Sequence, residues 1–192
     1  MTQEETTGEA DVRPNLAVLL GGVAAVALVA GWSLPGPAAV AATGLGVLMV
    51  AGADIDARTC LIPDLVSLGA LAGGLLVASV LAPADPLTGL AAAAGRAALT
   101  ALCVFLVRVG YGWLRGREGL GLGDVKLAGA VGAWLPLEAI PLCIGLAALG
   151  ALACVALARL RGEDIAATTR LPFGAFLCPA LWLVTYAVML SA

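Results

Sequence analysis

The stretch "GLGLGDVKL", residues 119–127, places a carboxylate and an amine at the start of an apolar segment. Glycines alternate with leucines before Asp124, and Lys126 follows two residues later. The eleven residues from Leu127 to Leu137 carry no charge. Ionisable groups at the edge of hydrocarbon are costly, and they indicate a function unless they merely cap a helix or reach water. The rest of the sequence is needed to decide whether Asp124 and Lys126 are functional or only complete a helix end.

The composition identifies an integral membrane protein. Of 192 residues, 61% are hydrophobic and 12% are charged, and the mean hydropathy is +1.04. A soluble domain is about half apolar and about a quarter charged. No basic patch with interleaved aromatic residues is present in the sequence, so nucleic acid is excluded as a partner.

The sequence contains no histidine, which excludes Ser-His and Cys-His nucleophilic chemistry. The five cysteines are widely spaced and form no CxxC pair, so neither a metal site nor a cofactor is expected. Any acid–base chemistry must come mainly from Asp or Glu. The cysteines are Cys60, Cys103, Cys143, Cys154 and Cys178.

Uncharged stretches predict an all-α, polytopic fold with about seven transmembrane helices. About 20 helical residues cross a hydrocarbon core of about 30 Å, and the turn "WSLPGP" at 32–37 divides the first long stretch. One element is short for a span and another contains Arg96. The predicted helices are about 16–33, 37–55, 65–84, 87–110, 124–137, 139–158 and 171–192.

The distribution of Lys and Arg predicts the orientation. If the short element crosses the membrane, nearly all the basic residues fall on one side, and the loops around 33–37, 83–87 and 135–138 contain none. The positive-inside rule then places the amino terminus in the cytoplasm. We expect a disordered cytoplasmic tail over 1–15, a first transmembrane helix and turn over 16–36, and a membrane core over 37–192.

This topology brings four aspartates to the cytoplasmic ends of helices. Asp64, beside Pro63 in the expected first helical turn, is interpreted as a helix-end carboxylate, and Asp54 as structural or solvated. Asp56 and Asp124 are interpreted as functional, because two separate motifs deliver them to the same membrane face. Two carboxyl groups held close together share one proton near neutral pH. Such a pair suits peptide hydrolysis without a cofactor, but it also suits a proton- or cation-coupled transporter.

Three stretches resemble the signature motifs of the bacterial type IV prepilin peptidases, which are GxGD-type membrane aspartic proteases related to the archaeal preflagellin peptidases. They are "DARTCLIPD" (56–64), "REGLGLGDVKLAGAVGAWL" (117–135) and "LPFGAFLCPA" (171–180). Their order and their positions at helix ends make the resemblance specific, and it covers roughly residues 37–190. It implies a GxGD protease bundle in the bacterial cytoplasmic membrane, with the active site on the cytoplasmic side.

Carried over residue by residue, the resemblance implies that Asp56 and Asp124 are catalytic. Lys126 matches a basic residue common in the family, and either a direct role or an interfacial position fits it. The supporting motif residues are Gly121, Gly123, Lys126, Pro63, Pro172 and Gly174.

The implied activity is cleavage of the short leader of prepilins, pseudopilins or Flp/Tad-type pilins. Larger family members carry an N-terminal cytosolic insert with paired cysteines, which is associated with N-methylation of the pilin. This sequence resembles the short form that lacks it, so methyltransferase activity is not expected. Arg96 has two interpretations: a structural partner for Asp85 or for a helix dipole, or a side chain that reaches toward the outer face.

Overall fold

The computed structural model describes residues 14–81, 85–116, 121–162 and 171–191. These ranges contain seven α-helices and no strand, which confirms the predicted all-α class. Most of the predicted 1–15 tail and the basic loop around 163–170 lie outside the described residues. The helices are α1 (Leu16–Ser33), α2 (Gly36–Thr59), α3 (Asp64–Val80), α4 (Pro86–Arg115), α5 (Leu122–Trp134), α6 (Ile140–Leu160) and α7 (Gly174–Ser191).

The helices have the lengths and surfaces of a multi-pass membrane protein. Helices α1, α2, α4, α6 and α7 are long and apolar enough to span a bilayer, and α3 is a shorter apolar helix. Large apolar side chains are widely exposed on the outside of the bundle, and Trp32 and Trp113 are 90% and 89% exposed. Water would oppose this exposure, whereas lipid favours it.

Helix α5 lies at the centre of the bundle. It packs extensively on α3 and α4 and also contacts α6 and α7, and every residue from Leu127 to Ala133 is buried. The sequence of this segment is rich in Ala and Gly, which lets the neighbouring backbones approach closely. Helix α2 joins α1, α3 and α7 around this centre. The helix that carries Asp124 is therefore the most enclosed element of the fold.

The helix ends explain several boundaries. The Asn15 side chain accepts a hydrogen bond from the Ala17 N–H and caps α1, and the Asp85 side chain caps α4 through the Thr88 N–H. Helix α5 ends at Trp134, three residues before the predicted end, since the residue before a proline disfavours helix and Pro136 follows Leu135. Pro63 is the N-cap of α3, one position before the first turn in which we expected it.

Candidate active site

Asp56 lies in the last turn of α2 and points into the protein. Its residue is only 4% exposed. Helix α2 ends one turn later, and Cys60 is its C-cap residue. The Cys60 backbone adopts the left-handed conformation with φ 52°, and its N–H donates a hydrogen bond to the Asp56 carbonyl oxygen. The Oδ2 atom of Asp56 accepts a hydrogen bond of 2.8 Å from the backbone N–H of Ala175. The side chain is thus held by the first turn of α7.

The first turn of α7 approaches Asp56 closely because position 174 has no side chain. A Cβ atom on Gly174 would lie 2.9 Å from the Asp56 Oδ2 atom and 2.5 Å from the Ile62 Cδ1 atom. Any larger residue would displace the carboxylate or the isoleucine. Pro172, the other predicted supporting residue here, precedes α7 by two positions. The Pro-Phe-Gly segment therefore positions backbone donors at Asp56.

Asp124 lies in the first turn of α5, and its residue is half-buried. Its Oδ2 atom accepts a hydrogen bond of 3.1 Å from the backbone N–H of Gly121, the N-cap residue of α5. Asp124 and Asp56 are 68 positions apart in sequence (124 − 56). They lie at the same end of the bundle, because Gly174 approaches both Asp56 and Ile62, and Gly123, next to Asp124, approaches Ile62 as well. The fold therefore places both aspartates that the sequence analysis singled out at one end of the bundle.

Ile62 lies between the first turns of α5 and α7, and the sequence analysis did not identify it. A Cβ atom on Gly123 would lie 3.2 Å from the Ile62 Cβ atom, and Gly174 contacts the same side chain from the other side. Ile62 also packs against the main hydrophobic core. Positions 123 and 174 therefore have no room for a side chain, because Ile62 fills the space between α5 and α7.

The site is apolar beneath the carboxyl groups. Cys178, one turn into α7, is fully buried, and its Sγ atom lies close to Gly52, one turn before Asp56 in α2. Within the described residues, neither aspartate forms an ion pair. Backbone N–H groups are the donors that hold them. Among the described residues, neither carboxyl group is therefore neutralised by a basic side chain.

The other two aspartates of the cluster have structural partners. The Asp54 carboxylate accepts from the Asn15 backbone N–H and from Arg58, each at 2.7 Å, and so joins α2 to the start of α1. Asp64 forms an ion pair of 2.5 Å with Lys126, which joins the first turns of α3 and α5. This pair is exposed. Lys126 is therefore held toward Asp64, and this contact does not test either of its two interpretations.

The Arg96 side chain reaches the carboxyl end of α5. This contact agrees with the interpretation of Arg96 as a partner for a helix dipole. Its Nε atom donates to the carbonyl oxygens of Leu135 at 2.9 Å and Gly132 at 3.3 Å, at the carboxyl end of α5. The alternative partner, Asp85, instead accepts from Thr88. A cation at a helix carboxyl end is favoured by the helix dipole.

The apolar helical bundle, with Asp56 and Asp124 at one end, defines a polytopic membrane protein. A family model described as the type IV leader peptidase family matches residues 43–157. This range contains both aspartates and the ion pair between Asp64 and Lys126. The chain belongs to the type IV leader peptidase family.

Several relatives support the same assignment. The prepilin leader peptidase/N-methyltransferase of Aeromonas salmonicida is 36% identical over 173 residues, which are 88% of this chain and 54% of the relative. The leader peptidase HopD of Salmonella typhimurium is 38% identical over 136 residues, which are 69% of this chain and 83% of that protein. The chain thus spans about half the length of the first of these relatives. No solved structure gives a significant match.

Proposed function

We propose that this protein is a membrane-embedded aspartic endopeptidase that removes the short leader of prepilin or prepilin-like proteins. The observation that supports the proposal is the position of Asp56 and Asp124 at one end of the bundle, where each accepts a hydrogen bond from a backbone N–H group at the start of a helix. Family membership supports a leader peptidase and favours this reading over a transporter.

The chemistry follows from a pair of carboxyl groups that share one proton. The ionised carboxyl takes a proton from a water molecule, which attacks the carbonyl carbon of the scissile peptide bond. The protonated carboxyl donates a hydrogen bond to the carbonyl oxygen and polarises it. A proton then passes to the leaving nitrogen. Asp56 and Asp124 divide these two roles, and no cofactor is needed.

The proposed location is the bacterial cytoplasmic membrane, with the aspartates facing the cytoplasm. The carboxyl end of α2 and the amino ends of α3, α5 and α7 meet at the aspartates. The helix ends on this side of the bundle carry basic residues, including Arg58 in the last turn of α2 and Arg115 in the last turn of α4. This asymmetry supports the cytoplasmic assignment through the positive-inside rule. Substrates would be pilins, pseudopilins or Flp/Tad-type pilins whose leader lies on that side.

We propose cleavage without N-methylation. Helices α1 and α2 are joined by Leu34 and Pro35 alone, so no cysteine-containing insert separates them. The activity named second in the Aeromonas relative, N-methyltransferase, belongs to a protein about twice as long as the region matched here.

The test is processing of a candidate prepilin by the purified protein in detergent. Wild-type protein should shorten the prepilin on a gel, and mass spectrometry should show a mature amino terminus without an added methyl group. Asp124→Asn should lose processing by about 10²- to 10⁴-fold, because an amide cannot exchange the proton. Processing at the wild-type rate by this variant would refute the aspartic mechanism. Methylation by the enzyme alone in the presence of a methyl donor would refute the peptidase-only proposal.

A further inference from the structure

A cavity of about 370 Å³ lies at the end of the bundle opposite the aspartates. It is bounded by α3, the first turns of α4, the carboxyl end of α5 and the last turns of α7. Apolar residues such as Val77, Leu81, Trp134 and Met189 line it. Among the described lining residues, Arg96 is the one with a charge.

The cavity follows from the shortness of α5. Its 13 residues span about 20 Å at 1.5 Å per residue, whereas the hydrocarbon core of a bilayer is about 30 Å thick. The chain leaves the helix at Pro136, which lines the cavity. Ala78 of α3 and Ala92 of α4 also line it, and their small side chains leave the space open.

Arg96 is fixed beside this space and retains unused donors. Its Nε atom is held by the carbonyl oxygens of Gly132 and Leu135, and its backbone packs against Gly132. A guanidinium group carries five N–H donors. In the described part of the chain, the Nη groups have no hydrogen-bond partner and Arg96 has no ion pair.

A guanidinium group with free donors beside an apolar lining favours an anionic partner that also has an apolar part. The surface around the cavity indicates which kind of anionic partner fits. Leu76 and Val80 of α3 and Leu87 of α4 are 64%, 70% and 74% exposed on the same part of the bundle. Such a surface contacts acyl chains, and the planar guanidinium matches a phosphate group through paired hydrogen bonds.

We infer that this cavity binds an anionic phospholipid. The phosphate accepts hydrogen bonds from the Nη groups of Arg96, and the first part of an acyl chain lies against the apolar lining formed by α3 and α7. A volume of about 370 Å³ is within the range of small-ligand pockets, so it holds the headgroup region while the chain ends extend into the bilayer. The bound lipid would brace the carboxyl end of the helix that carries Asp124.

The test compares lipid binding to the full chain in a neutral detergent by native mass spectrometry. Phosphatidylglycerol should bind about fivefold more tightly than phosphatidylcholine, since one basic residue contributes about this factor to an anionic lipid. Arg96→Gln should lose the preference. Arg108→Gln removes the same charge from the same helix outside the cavity, and it should keep the preference. Ala78→Leu fills the cavity but leaves Arg96, and it should weaken the binding of both lipids.

Three outcomes would overturn the inference. One is a wild-type protein without preference for phosphatidylglycerol, and another is an Arg96→Gln protein that keeps the preference. The third is competition by glycerol phosphate at the concentration at which the lipid binds, which would indicate a site for small soluble anions. If Arg96→Gln does not fold, Ala78→Leu decides the question, because unchanged lipid binding in that variant places the lipid elsewhere.

Discussion

The backbone N–H of Ala175 donates a hydrogen bond of 2.8 Å to the Oδ2 atom of Asp56, across 119 positions of sequence. The first N–H groups of a helix have no partner within the helix, and the partial positive charge of a helix amino terminus attracts a carboxylate. The Asp56 carboxylate therefore satisfies an N–H group in the first turn of α7, and this hydrogen bond fixes the orientation of the Asp56 side chain. The Pro-Phe-Gly segment belongs to the site for this reason.

Gly174→Ala should impair cleavage strongly while leaving the protein in the membrane. The added Cβ atom would lie 2.9 Å from the Asp56 Oδ2 atom, so the carboxylate must move. A displacement of about 1 Å at a reacting group costs on the order of 100-fold in rate. The measurement is the rate of prepilin processing by purified variants. Gly44→Ala in α2 is the matched control, because its Cβ atom would meet nothing within 4 Å. Equal rates for the two variants would contradict this reading of the contact.

Much of the fold could be predicted from the sequence, because apolar length and turn residues determine where membrane helices start and stop. The charged motifs likewise placed Asp56 and Asp124 at helix ends. The contribution of Ile62 could not be predicted, because it depends on how α5 and α7 approach one residue of a third segment. The partner of Arg96 was also undetermined, since α5 ends three residues earlier than its apolar stretch suggests.

Lys126 should contribute to structure and not to the reaction. Its ion pair with Asp64 is well exposed, with 42% and 65% of the side chains accessible, and such pairs contribute about 0.2–1 kcal/mol to stability. We expect Lys126→Gln and Asp64→Asn to lower the free energy of unfolding by similar small amounts and to keep most processing activity. Thermal unfolding and processing rates of both variants test this. A large loss of activity in Lys126→Gln alone would instead indicate a direct role at the site.

The proposed orientation predicts which positions a membrane-impermeant thiol reagent reaches in intact cells. On a cysteine-free background, Leu137→Cys should be labelled from outside, because it lies in an exposed turn at the end opposite the aspartates. Arg161→Cys, after the last turn of α6, should be labelled only after the cells are opened. Labelling of position 161 from outside would reverse the orientation of α6 and remove the basis for a cytoplasmic active site.

Asp54 and Asp56 lie two positions apart in α2, and their variants should separate a structural aspartate from a catalytic one. Asp54 faces Asn15 and Arg58, whereas Asp56 faces the first turn of α7. Asp54→Asn should keep most processing activity, because the amide oxygen can still accept the Asn15 N–H. Asp56→Asn should lose about 10²- to 10⁴-fold, as expected for removal of an acid–base group. The double variant Asp56→Asn/Asp124→Asn should be little worse than either single change, because paired catalytic groups fail together. The measurement is prepilin processing at matched expression. An inactive Asp54→Asn protein beside an active Asp56→Asn protein would move the site two residues along α2 and refute the assignment of Asp56.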